Sequence, residues 1–287
     1  MKKNDRQDNK QAAGKLANAE IGESEKINFG IIAAIFFIAV TTIFPLFMTR
    51  MGYNSITKEK AHFFISLTMF ITFGGIIALI ITAKRFRPIS YIVKSFRKQP
   101  FTVPEWALMV FLLLTLISSF LSPWKDFVWD GFTMNGQQGR WEGFWAFLAY
   151  GLAFFIIAWF YRPERLHLII FAGGSILLTM FGILEFLGLD LLYGSKYVIV
   201  EIDEPFPPMT RVFRTTLGNI NIVSAYCSLV IILFAALFVG EKSKWCVIYI
   251  IASALAFQML IISDGDAGKV GIFGALLLFL PHLLSDR

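Results

Sequence analysis

Residues 211–240 read RVFRTTLGNI NIVSAYCSLV IILFAALFVG. A polar head carrying Arg211, Arg214, Gly218, Asn219 and Asn221 runs straight into an apolar stretch with no charged residue from Thr215 to Gly240. A helix crosses the hydrocarbon core of a bilayer with roughly 20 apolar residues. The stretch therefore predicts a membrane span with a polar cluster at its mouth, the position where a multi-spanning protein would hold a charged ligand.

Outward from it, the rest of the chain repeats the pattern. Apolar runs predict spans at about 29–49, 62–83, 104–121, 143–161, 166–187, 218–240, 246–263 and 269–285, within a transmembrane domain over residues 29–287. The fold class is all-α, a polytopic helical bundle of about eight spans. The composition agrees: 56% of residues are hydrophobic, 16% are charged, and the mean hydropathy is +0.66. Soluble domains carry about 25% charged residues. Gly74-Gly75 within the second span predicts close helix packing there. Residues 1–28 form a polar tail with six Lys/Arg and no early apolar region, so the first span reads as an uncleaved signal-anchor. The formal net charge of +6 does not imply a nucleic-acid partner, because cytoplasmic loops of membrane proteins are basic. Cys227 lies inside a span and Cys246 near the start of one, so both read as apolar side chains rather than a disulfide.

The basic residues orient the chain. With the N-terminus in the cytoplasm, inside segments hold 17 Lys/Arg and outside segments hold 9. Residues 84–100 contribute six of the inside charges, interleaved with Ile89, Ile92, Val93 and Phe96 at helical spacing, which predicts a short interfacial helix on anionic lipid. The same topology puts three polar clusters on the outer face. The first is Asn135–Gly143, where Arg140 can fork onto a phosphate or carboxylate and Glu142 can pair with it or act as a base; belt tryptophans with a snorkelling arginine are the plainer reading. The second is the opening stretch, where Arg211 and Arg214 flank a span whose first N–H groups favour an anion. One asparagine suffices as a helix cap, so the second amide of Asn219 and Asn221 is the unexpected one. The third is Ser263–Lys269, where Asp264 and Asp266 can bind a divalent cation or neutralise Lys269; a solvated turn is the plainer reading. Between the first and second clusters, 196–203 reads as a short strand, followed by an extended turn at 204–208; Asp203 and Glu204 are candidate acids or bases. The three histidines, His62, His167 and His282, are scattered, and no metal-ligand spacing occurs.

Gly139-Arg140-Trp141-Glu142-Gly143, then Arg211 or Arg214 ahead of Thr215-Thr216-Leu217-Gly218-Asn219-Ile220-Asn221, then Ser263-Asp264-Gly265 follow in an order that resembles the O-antigen ligase/polymerase family of bacterial multi-spanning glycosyltransferases. Those proteins have a Gly-Arg-x-Gly-Gly-like stretch, an Arg-x-x-Gly-Thr-x-Gly-Asn-x-Asn-like stretch and a Thr-x-Ser-Arg-Gly-like turn; the arginine of the last is missing here. The resemblance covers roughly residues 104–285, and Gly-Asn-x-Asn is its most specific feature. It implies transfer or polymerisation of an undecaprenyl-diphosphate-linked glycan at the outer face of the inner (plasma) membrane, with no cofactor, metal or nucleotide sugar. It implies diphosphate binding by Arg140, Arg211, Arg214, Asn219, Asn221 and Lys269, with Glu142, Asp203 and Glu204 as the weak catalytic candidates. It also implies that the chain is the N-terminal part of a member, or a shortened one, since members place a catalytic loop further on. Membrane lipids are the other expected partners. The competing expectations are a transporter or flippase of an anionic lipid-linked substrate, and a non-catalytic binding or assembly protein.

Overall fold

The computed structural model describes residues 29–49, 55–85, 101–131, 141–189 and 215–285. Among these residues the regular structure is helical throughout: α1 (Phe29–Leu46), α2 (Ile56–Arg85), α3 (Val103–Leu121), α4 (Lys125–Asp130), α5 (Phe144–Phe160), α6 (Arg165–Phe186), α7 (Ile220–Gly240), α8 (Cys246–Ser263) and α9 (Asp266–Ser285). A single 3-10 turn, Thr215–Leu217, precedes α7. Six helices, α1, α2, α3, α6, α7 and α8, are long and apolar enough to cross a membrane. The tail 1–28, the interfacial helix beyond Arg85, the strand at 196–203 and the turn at 204–208 lie outside the described residues.

The helix boundaries follow local chemistry. α2 starts at Ile56 rather than near 62, because polar residues build its first turn. The Ser55 hydroxyl donates to the Glu59 carboxylate at 2.6 Å, and the Glu59 N–H donates to the Ser55 carbonyl at 3.0 Å. α3 begins with Pro104 in its first turn, where the missing N–H costs nothing. The N–H and hydroxyl of Thr102 both donate to the Glu105 carboxylate, at 2.6 and 2.7 Å. The loop predicted over 122–142 contains a further helix, α4, closed by Gly131 in the left-handed conformation at φ 74°. α1 widens to π-helical turns over Ala39–Ile43, just ahead of Pro45. Proline lacks an N–H and its ring crowds the preceding turn, which favours such a local widening.

The chain divides into two compact units. One takes Met1–Phe37 and Phe64–Pro163; the other takes Ile38–Phe63 and Glu164–Arg287. In the first unit α3, α4 and α5 pack together. The Glu105 carboxylate joins α3 to α5 by accepting the Trp159 indole N–H at 2.5 Å. In the second unit α8 packs on α6 and α7, and α9 packs on α7. Its centre holds Leu178, Val223, Val230, Phe234, Tyr249 and Met259, all fully buried. The Tyr226 hydroxyl and Ser175 hydroxyl meet at 2.8 Å and tie α7 to α6. In lipid such interlocking contacts and interhelical hydrogen bonds hold helices together, because the tails are as apolar as leucine.

Small residues do permit close approach, but at other positions than predicted. A Cβ on Gly74 or Gly75 would meet nothing described within 4 Å. On Gly174 it would reach Thr42 Cγ2 at 2.5 Å, and on Gly151 it would reach Leu112 Cδ1 at 2.5 Å. A glycine pair marks a tight helix contact only when it faces a partner, and periodicity alone does not say which face that is. Both cysteines are free; Cys227 is buried among the apolar side chains of α7 and Cys246 is half-buried.

Candidate functional site

The turn leading into α7 is the most elaborately held polar stretch of the second unit. Thr215 adopts φ 47°, an uncommon conformation for a β-branched residue. Its N–H donates to the Glu185 carboxylate at 2.8 Å, and its hydroxyl accepts the Leu217 N–H at 3.1 Å. Thr216 is 1% exposed, and its hydroxyl donates to the Pro45 carbonyl at 2.7 Å. That carbonyl also accepts from the Lys60 ammonium at 3.1 Å, while Lys60 reaches the Phe44 carbonyl at 2.8 Å. The ammonium stands 4.9 Å from the centre of the Phe44 ring. These carbonyls end α1 and carry the negative end of the helix dipole; that of Phe44 also accepts the Phe47 N–H at 3.2 Å. Lys60 supplies both hydrogen bonds and charge there, which is what allows a cation to be buried. One carbonyl oxygen, that of Pro45, thus fixes three chain segments at once.

Gly218 follows at φ 79°, and a Cβ on it would lie 2.8 Å from Ile56 Cγ2. Only glycine fits both the dihedral and the space. Asn219 then caps α7: its carboxamide oxygen accepts the Asn221 N–H at 2.8 Å. The capping role predicted for an asparagine here falls to Asn219. Asn221 lies in the first turn, is exposed, and accepts the Ser224 hydroxyl on its carbonyl at 3.0 Å.

Ser224 brings the third cluster alongside. The Gly268 N–H donates to its hydroxyl at 3.2 Å, and a Cβ on Gly265 would meet its side chain and, at 3.2 Å, the Ile220 carbonyl. The first turn of α9 therefore rests on the first turn of α7, and the 218–221 and 263–269 segments become neighbours. Asp264 holds the turn at φ 49°. The Lys269 ammonium bonds Asp264 at 2.6 Å and Asp266 at 3.4 Å, as the neutralised turn predicts. The hydrogen bond from Lys269, then its charge, keeps the Asp264 carboxyl below its ordinary range. An anion approaching Lys269 competes with both carboxylates.

In the first unit, a cavity of about 360 Å³ opens between α3, α4 and the start of α5. Phe111, Phe127, Phe144 and Phe147 wall it, Thr115 and Ser119 line it, and Glu142 stands among its lining residues. The backbone on either side of Glu142 is pinned. Trp141, at φ 57°, donates its N–H to the Gly131 carbonyl at 3.3 Å, and the backbone of Trp129 and Asp130 leaves no room for a Cβ on Gly143. Trp129 meets Phe144 edge-on at 5.2 Å between ring centres.

Of the sequence-predicted site residues, Asn219, Asn221 and Lys269 belong to the second unit and Glu142 to the first. Arg140, Asp203, Glu204, Arg211 and Arg214 lie outside the described residues. Lys60 and Glu185, which hold the Thr215–Thr216 turn, were not singled out from the sequence. Glu185 carried a signal: it is the only Asp, Glu, Lys or Arg between 166 and 187, and an ionisable residue inside a span is a functional candidate by default. Lys60 carried none, since a lysine at a span entrance reads as a headgroup anchor.

The chain matches no protein-family model, no curated protein and no solved structure. The fold and these clusters define a membrane-embedded all-α protein of multi-pass character.

Proposed function

We propose that the chain is an O-antigen ligase/polymerase-like membrane glycosyltransferase that takes an undecaprenyl-diphosphate-linked glycan at the outer face of the inner membrane. In this reading it has eight spans and a cytoplasmic N-terminus. The diphosphate lies at the start of α7, where free helix N–H groups and the dipole favour negative charge. Arg211 and Arg214, which precede Thr215 in the sequence, are its proposed charge partners, and the Asn221 carboxamide and Lys269 add donors. The observation that carries the reading is the way Gly218–Asn221 is presented. Buried Thr216 and Lys60 and half-buried Glu185 hold the turn, Gly268 seats α9 against Ser224, and both asparagines remain exposed. Donors fixed before the ligand arrives cost no reorganisation, which is how a leaving diphosphate is stabilised in a low-dielectric site.

The test is saturation binding of a radiolabelled undecaprenyl-diphosphate-linked sugar to the protein in nanodiscs. Arg211→Glu and Arg214→Glu are each expected to abolish binding. Unchanged binding in both variants removes the site.

A further inference from the structure

The cavity of the first unit is separate in chemistry from an anion site. Among the described residues its lining has a single charged side chain, the carboxylate of Glu142. Of the three hydroxyls that line it, those of Thr115, Ser118 and Ser119, two have their protons committed. Thr115 donates its proton to the Phe111 carbonyl at 2.8 Å, and Ser119 donates its proton to the Thr115 carbonyl at 2.9 Å. Each hydroxyl has one proton and two lone pairs, so both oxygens are left as acceptors. Lys125, the cation at this end of α3, is already committed. Its ammonium caps the helix by donating to the carbonyls of Phe120 and, at 3.5 Å, Ser119. Glu142 itself forms no ion pair among the described residues. What remains is two acceptor oxygens, the Ser118 hydroxyl, a negative charge and aromatic side chains.

Such a lining selects against anions and for a ligand that donates hydrogen bonds and carries positive charge. A primary ammonium supplies three donors and no acceptor, and aromatic rings attract cations. The apolar walls require an aliphatic stem behind the head. At about 360 Å³ the cavity is at the small end of ligand pockets, which run from roughly 300 to 1,000 Å³. It has room for a short alkylammonium group, with Glu142 held in place by the tight Gly131 and Gly143 contacts.

We infer that this cavity is a binding site for a primary ammonium on an aliphatic stem, with Glu142 as counter-ion and Thr115 and Ser119 as acceptors. The inference does not depend on the diphosphate site. Two sources present this chemistry: a soluble alkylamine, or the amine of a phosphatidylethanolamine headgroup.

The experiment uses the full chain in nanodiscs of phosphatidylcholine and phosphatidylglycerol, with radiolabelled hexylammonium as probe and scintillation proximity as readout. Binding is expected to saturate and to be displaced by butylammonium but not by hexanoate. Glu142→Gln is expected to weaken it about 10-fold or more, the usual loss for a charge-assisted hydrogen bond. Thr115→Val, which keeps shape and removes one acceptor, is expected to weaken it less. Both variants must elute as the wild type does on size exclusion. Nanodiscs containing phosphatidylethanolamine separate the sources: lowered hexylammonium binding assigns the site to the headgroup, and unchanged binding assigns it to a soluble amine. Non-saturable binding, equal displacement by hexanoate, or an unaltered affinity in Glu142→Gln overturns the inference.

Discussion

Replacing Gly218 by alanine tests whether the Gly-Asn-x-Asn segment is built as described. Two independent costs arise. The residue sits at φ 79°, where a Cβ is disfavoured by about 1–2 kcal/mol. The new Cβ also lands 2.8 Å from Ile56 Cγ2 and 3.1 Å from its Cδ1, an overpacking that costs about 1–3 kcal/mol in a close-packed setting. Gly218→Ala is therefore expected to lose about 2–5 kcal/mol. The two parts separate in a double-mutant cycle. Ile56→Ala removes the clashing methyls at its own cost, so in that background Gly218→Ala should retain only the backbone part. The coupling should be about 1–3 kcal/mol in the relieving direction. The assay is equilibrium unfolding by sodium dodecyl sulfate in dodecyl maltoside micelles, followed by tryptophan fluorescence. A Gly218→Ala protein as stable as the wild type would refute the conformation. An undiminished cost in the Ile56→Ala background would refute the contact.

Other outcomes follow from the same contacts. Thr216→Val keeps the shape and removes the bond to the Pro45 carbonyl, which retains Lys60, so the loss should be about 1 kcal/mol in the same unfolding assay. Gly268→Ala pushes a Cβ into the Ser224 carbonyl, which is backbone and cannot swing away. It should destabilise clearly, whereas Gly274→Ala, with nothing within 4 Å, should be neutral or gain up to about 1 kcal/mol of helix propensity. The Asp264 carboxyl lies below its ordinary value of 3.8 in the folded chain, through the Lys269 hydrogen bond. Its contribution is thus present above about pH 4 and is lost as pH falls through the lower folded value. Between pH 5 and pH 3 the unfolding midpoint of the wild type should fall further than that of Asp264→Asn. Equal falls would show that this pair carries no pH dependence.

Much of the helical plan was legible because it rests on properties that are local in the sequence. The uninterrupted apolar run of α7 and the asparagine ahead of it announced both a span and its cap. The neutralised Asp264–Lys269 turn was legible for the same reason, since all its partners lie within five residues. α2 begins ahead of the span read at about 62–83 because its early residues Lys58, Glu59 and Lys60 are polar, and their helical state depends on Ser55 and on burial rather than on hydropathy. Gly74 and Gly75 permit close packing in the sequence, while Gly151, Gly174, Gly265 and Gly268 are among the glycines that admit a close neighbour. What a glycine faces is a tertiary fact. The same holds for Lys60 and Thr216, which converge on the Pro45 carbonyl, and for Glu185, which bonds Thr215 thirty residues further on. The hidden acceptor character of the Glu142 cavity belongs here too, since it depends on where two hydroxyl protons point.

The central claim is that a lipid-linked diphosphate is held where the starts of α7 and α9 meet. It is tested most directly by photo-crosslinking with an undecaprenyl-diphosphate-linked sugar bearing a diazirine on the sugar next to the diphosphate, followed by peptide mapping of the protein in nanodiscs. The account predicts saturable labelling within residues 211–224 and 264–269, displaced by excess unlabelled donor. Labelling confined to other segments, or labelling that excess donor does not displace, contradicts it.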